Sequence, residues 1–190
     1  MILLRSVAIA VIAAMAAVSP AKAVIIDFVL TGDLSGELDA VPFADAAFSL
    51  TFSGDTDDLV PFSNGSEFDP ISDVMFMIDG LPTTTAIEPL TFGFNEVFGI
   101  AFLFGGGGPD ILDFEMAPGT DISAPIAPTA VTIAPGIFGS LQTDQGSLTI
   151  STFTNGIFSS TAAGIPTAGS LPLVFTGIGL LLIAARRRNA

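Results

Sequence analysis

With 190 residues the chain has room for one domain, yet a mean hydropathy of +0.74 is too high for an ordinary soluble one, so long apolar segments have to be located first. All five basic residues (Arg5, Lys22, Arg186, Arg187 and Arg188) lie toward the two ends, whereas the stretch 24–185 holds all 19 acidic residues and no Lys, Arg or His, a formal charge of −19. Such a body excludes nucleic acid and anionic lipid as partners, because both need basic patches, and its carboxylates must be solvated, hydrogen-bonded to backbone amides or bound to metal ions.

The first element is Met1 to Ala23, MILLRSVAIAVIAAMAAVSPAKA. Arg5 supplies a positive start, Ser6 to Val18 is an apolar run that predicts a short helix, and Pro20 breaks it. Ala21 and Ala23 place small residues at −3 and −1 of a cleavage site, so the segment reads as a signal peptide removed by signal peptidase between Ala23 and Val24.

Residues 24–163 form the body. Apolar residues come in short runs of β-formers punctuated by Gly, Pro, Asn and Asp. Val24 to Leu30 predicts a first strand, and Ala47 to Phe52 alternates Phe48, Leu50 and Phe52 against Ala47, Ser49 and Thr51 with period two. Val74 to Ile78, Leu90 to Phe94, Val97 to Phe104, Ile111 to Glu115, Ala130 to Ile133, Leu148 to Phe153 and Ile157 to Ser160 read the same way. Val97 to Phe104 is almost wholly apolar and is expected as a central strand. Asn155-Gly156 predicts a hairpin turn, and Gly105 to Gly108 with Pro109-Asp110 joins two further strands. About nine short strands with turns between them predict an antiparallel β-sandwich. All 17 aromatic residues are Phe, and the stripe they form reads as core.

The body is poor in chemistry. Without His, Cys, Lys or Arg, most nucleophile–base pairs and all phosphate clamps are impossible, so an enzyme is not expected. Oxygen ligands are plentiful. Asp55, Asp57 and Asp58, followed by Asn64, Glu67 and Asp69 in what reads as one loop, form a candidate calcium site, and Asp110, Asp113, Glu115 and Asp121 form a second group. The competing reading of both is a solvated acidic surface that keeps an apolar protein in solution.

The last element, 164–190, carries no charge before Arg186. Ala168 to Ala185 would make a helix of about 27 Å at 1.5 Å per residue, which just spans a hydrocarbon core of roughly 30 Å. Arg186, Arg187 and Arg188 follow directly and are expected to stay cytoplasmic. A single transmembrane helix is therefore predicted here, its apolar core at Leu171 to Ala185.

A short proline motif (Ile165-Pro166-Thr167-Ala168-Gly169-Ser170-Leu171-Pro172-Leu173), an apolar helix and a terminal arginine cluster occur in that order. This tail resembles the PEP-CTERM sorting domain and its variant with a V-P-L-P-A start, with Ala168 standing where that family usually has a second proline. The resemblance implies that the chain is an exosortase substrate. Such proteins are exported, held transiently in the inner membrane by the tail, processed near the proline motif and delivered to the cell surface or extracellular matrix of bacteria that make extracellular polysaccharide. It also implies a structural or interaction role linked to that polysaccharide, and the alternative is a calcium-dependent adhesin or carbohydrate-binding module.

Overall fold

A computed structural model describes residues 23–105, 110–133 and 139–163 of the chain. Alternating apolar residues pull these segments into strands β1 (Ile25–Leu38), β2 (Val41–Asp55), β3 (Leu59–Phe62), β4 (Gly65–Ile78), β5 (Thr84–Thr85), β6 (Leu90–Asn95), β7 (Ile100–Gly105), β8 (Asp110–Glu115), β9 (Thr129–Ile133), β10 (Ser140–Thr143) and β11 (Gly146–Ala162), with one 3-10 turn at Thr56–Asp58. Every strand pairing is antiparallel, so the body is all-β as expected. The helices expected at the two ends lie outside the described residues, and among the described residues no helix is long and apolar enough to cross a membrane.

The sandwich is corrected to a closed barrel. Hydrogen bonding runs β1-β2-β4-β6-β7-β8-β9-β11 and returns to β1, so the ring has eight members and no break. Four strands make this possible by being 14 to 17 residues long and bent, where short ones were expected. The first half of β4 pairs with β3 and β6, and its second half with β2 and β5. Register shifts opposite β6 and β2, with Asp73 at φ 53, mark the bend between the halves. Bulges of this kind raise local twist and supply the curvature that closure needs.

Asn155-Gly156 belongs to such a bend as well. It does not turn a hairpin: β11 runs straight through it, with Asn155 at φ 53 where the register against β1 shifts between Thr31 and Asp33. Asn tolerates the left-handed conformation, which suits it to a bulge as well as to a tight turn. The two hairpins flanking this region turn at Asp39-Ala40 and Asp144-Gln145, which the sequence did not advertise. Val97 and Phe98 also fall outside their expected strand. They form an exposed turn between β6 and β7, where the Asn95 carboxamide oxygen accepts from both of their amides.

Inside the ring the side chains are apolar and mostly aromatic. Phe28 of β1 is 1% exposed, and its ring meets Phe52 of β2 at 4.9 Å, Phe68 of β4 at 5.6 Å, Phe92 of β6 at 5.1 Å and Phe158 of β11 at 5.9 Å. These separations lie in the favourable range for aromatic pairs. Gly32 sits on the inward side of β1 because a Cβ there would stand 2.5 Å from the Phe153 ring and 2.6 Å from the Thr154 carbonyl oxygen. Outward positions of β1, β2 and β11 carry Asp27, Thr31, Ser49, Thr51, Ser53 and Thr149.

One end of the barrel is narrowed. Ala86 bridges Thr143, the Ile87 amide donates to the Gln142 carbonyl at 3.2 Å, and the Asp144 amide donates to the Thr85 carbonyl at 3.0 Å. Short β5 and β10 thereby join β4 to β11 and form a smaller ring beneath the larger one. Asp144 clasps the junction, its Oδ1 accepting from the Thr84 hydroxyl and the Thr85 amide at 2.8 Å each.

Replacing Phe28 by Ala is expected to cost about 3–5 kcal/mol, as for other buried Phe truncations, because its ring touches four strands at once. Urea unfolding is the check, and a loss as small as that of exposed Phe98→Ala would show that the walls hold without this hub.

Candidate functional site

The carboxylates come first, since nothing in the described body can neutralise them. Several find hydroxyls or amides. The Asp57 amide donates to Asp55 Oδ1 at 2.9 Å and caps the 3-10 turn, Ser53 donates to Asp27 at 2.7 Å, Asn155 Nδ2 donates to Asp33 at 2.6 Å, and Ser123 donates to Asp121 through both its amide and its hydroxyl.

The residues expected to share one acidic loop are divided among three elements. Asp55 ends β2, Asp57 and Asp58 lie in the 3-10 turn, and Glu67 and Asp69 stand in β4. The intervening Leu59-Val60-Pro61-Phe62 segment pairs with Gly65–Phe68, so the presumed loop is a hairpin with Asn64 in its turn. Asp69 accepts from the Thr91 hydroxyl at 2.9 Å. In the second group, Asp110, Asp113 and Glu115 lie along β8, and Asp121 is in the following loop. Among the described residues no three such side chains come together in a way that could hold a metal ion. The tail residues Ile165, Pro166, Thr167, Ala168, Leu171, Pro172, Arg186, Arg187 and Arg188, and Ala21 of the cleavage site, lie outside the described residues.

What the fold does assemble is an aromatic and acidic surface on the outside of β4, β6, β7 and β8. In β7, Ala101 and Leu103 point into the barrel and are buried, which turns Ile100, Phe102 and Phe104 outward and leaves them half-buried. Cross-strand register then sets two rows. The first is Glu67, Gly93, Phe102 and Asp113. The second is Thr91, Phe104 and Asp110, with Asp69 joined to Thr91 by its hydrogen bond. The Phe102 ring lies across Gly93, where any Cβ would collide with it, and so reaches toward Glu67. Phe104 and Phe62 flank Phe102 at 5.8 and 6.1 Å.

A bulge in β8 between Leu103 and Phe104 of the facing strand lets Ile111 and Leu112 both point inward. The same bulge brings Asp110 and Asp113 to one outer face. Burial pushes the Asp113 carboxyl up to about 6, and the neighbouring negative charge of Asp110 adds to the rise. Its Oδ1 is shut off from solvent and accepts no hydrogen bond.

Sequence reasoning had assigned Phe62, Phe102 and Phe104 to the core. The signal that places them outside is the parity of Ile100 to Phe104: when both faces of a strand are apolar, one of the two still has to face out of a packed barrel. No protein-family model matches the chain, and no curated protein or solved structure matches it either.

Two pH responses follow. A carboxyl whose folded-state pKa is raised favours folding while protonated, so the Asp113 contribution is intact below pH 4 and is lost as pH rises toward 6. Asp113→Asn is therefore expected to unfold roughly 2–4 °C higher than the parent at pH 7.5 and to match it at pH 4. Asp144 behaves oppositely, because the Thr85 amide and the Thr84 hydroxyl hold its carboxyl below the usual range. Its contribution is present near neutrality and lost as pH falls through the acid range, so Asp144→Ala is expected to unfold lower than the parent at pH 7 and to converge with it in acid. Thermal unfolding across pH checks both, and parallel curves for parent and variant would refute each.

Proposed function

We propose that the chain is an exported, non-catalytic cell-surface or extracellular-matrix protein, retained by its C-terminal tail and processed there by an exosortase, whose barrel serves a structural or interaction role alongside extracellular polysaccharide. The observation that carries this reading is where the barrel's two ends lie. Ile26 pairs with Ala162, and the Ala163 amide donates to the Ile25 carbonyl at 2.8 Å. The apolar segments 1–23 and 164–190 thus leave a closed domain at one pole, side by side. This layout suits a body that hangs from its tail at one end, although adjacent termini are common in domains of other kinds as well.

The start of the body supports the cleavage position. The Val24 amide donates to the Thr56 hydroxyl at 2.9 Å, and the Thr56 amide returns a bond to the Val24 carbonyl at 3.0 Å. Val24, the residue expected after the signal, is thus already hydrogen-bonded into the barrel. Cutting there frees an α-ammonium, the one cation of the mature body, next to Thr56 and its neighbours Asp55 and Asp57.

Deleting Arg186, Arg187 and Arg188 is expected to disturb retention and processing in the native host. Each guanidinium costs roughly 2.5–3.5 kcal/mol to bring to the bilayer centre, so the cluster pins the inner end of a span that is barely long enough. Asp55→Asn or Asp57→Asn should leave processing alone. Membrane fractionation with a gel assay for loss of the tail, together with N-terminal sequencing of the mature protein, reads the outcome. Maturation of the arginine deletion at the parental rate, or a mature chain starting at Met1, would overturn the reading.

A further inference from the structure

We propose that the outer face of β6, β7 and β8 docks an extended, arginine-bearing peptide segment of another protein. Three observations carry the inference, none of which depends on how the chain is sorted.

The first is chemical. Two half-buried Phe rings, Phe102 and Phe104, stand on one strand, and each has carboxylates to its sides. Glu67 and Asp113 bracket Phe102 across its row, and Asp69 and Asp110 bracket Phe104. A guanidinium is planar, stacks on an aromatic face and forks two hydrogen bonds to a carboxylate. Each row offers both halves of that recognition.

The second is geometric. Phe102 and Phe104 are two residues apart on β7, and their ring centroids are 5.8 Å apart. Side chains at alternate positions of an extended peptide are separated by about 6.6–6.8 Å, a near match to that repeat. A strand-like segment with arginine at every second position can therefore lay one guanidinium on each ring. Gly93 deepens the surface between the rings and Glu67, because any larger residue would displace Phe102.

The third is electrostatic. The stretch 24–185 has 19 acidic residues and no Lys, Arg or His, so no basic side chain of the body competes with a cationic partner for this face. At the Asp113–Asp110 pair two carboxylates of like charge share one outer face, and a cation laid against the exposed part of that pair would relieve their repulsion. Elsewhere on the barrel Asp27, Asp33, Asp55, Asp121 and Asp144 already hold hydroxyl, amide or carboxamide donors.

The test uses the full chain in a neutral detergent and a synthetic peptide alternating Arg with Ser, followed by calorimetry or fluorescence anisotropy. The same peptide with citrulline in place of arginine is the neutral control. Parent protein should bind the arginine peptide and not the citrulline one. Phe102→Leu, which keeps the apolar bulk and the charge but removes the ring, should weaken binding by about threefold to tenfold. Glu67→Gln with Asp113→Asn should weaken it at least as much, whereas Asp39→Asn with Asp79→Asn, an equal loss of charge in distant turns, should change it little. If the two double substitutions are equivalent and Phe102→Leu binds like the parent, only bulk charge is at work and the proposal fails. It fails too if the peptide does not bind the full chain, as it would were the chain's own tail to occupy the face, or if an uncharged oligosaccharide binds in a Phe102-dependent way and the peptide does not.

Discussion

The barrel depends on one ring that ties four of its other strands to the first. Phe28 sits on the first strand, yet its neighbours come from the second, fourth, sixth and last strands, so a single contact set ties the start of the chain to both walls and to the closing strand. The choice of Phe for the aromatic positions inside the barrel follows from this. A Tyr or Trp at the centre would bring a polar atom needing a partner, and a closed barrel lined with Leu, Ile and Phe has none to give. Packing of this kind replaces the cross-links the chain lacks, since it has no cysteine and its described body has no basic side chain to pair with its acids.

Charge imposes the second constraint. With every ionisable group of one sign, the carboxylates are placed where amides and hydroxyls point at them. Hydroxyl-rich outer faces therefore serve the acids as much as the solvent, as Ser53 serves Asp27 and Thr91 serves Asp69. Asp144 is the extreme case, a carboxylate used as the clasp of a strand junction. Asp113 is the opposite case, forced by a bulge into a poorly solvated spot beside a like charge. Among the described residues, Asp113 is the carboxylate with a buried oxygen that no donor reaches.

Composition and period made the strand class legible, and the residues that line the barrel were largely those whose alternation was clean: Phe48, Leu50 and Phe52, or Phe92 and Phe94. Closure was not legible, because alternation reads the same in a sandwich and in a barrel, and the deciding pairings join residues far apart in sequence, such as Ile26 with Ala162. Bulges hid the rest. Along β11 the buried positions run Leu148, Ile150, Phe153, Gly156 and Phe158, a spacing that breaks period two twice and so looks like two strands with a turn. The outer Phe residues of β7 were misread for a related reason, since hydropathy alone cannot say which face of an apolar strand turns outward. The terminal segments were read from order and composition, which need no fold.

Closing the ring with the first and last strands also fixes when the protein can fold. β1 has β2 within reach as soon as both are made, but its other edge waits for residues at the end of the body. Contacts this distant in sequence are slow to form, and until they do, β1 offers an unpaired edge and half a core. A chain threaded outward from its N-terminus therefore cannot complete the barrel midway through transit. The last pairing, Ile26 with Ala162, becomes available only when residue 163 has cleared, with 164–190 still behind it. For a chain exported as proposed, closure of the ring would then have to wait until the last residues of the body had emerged.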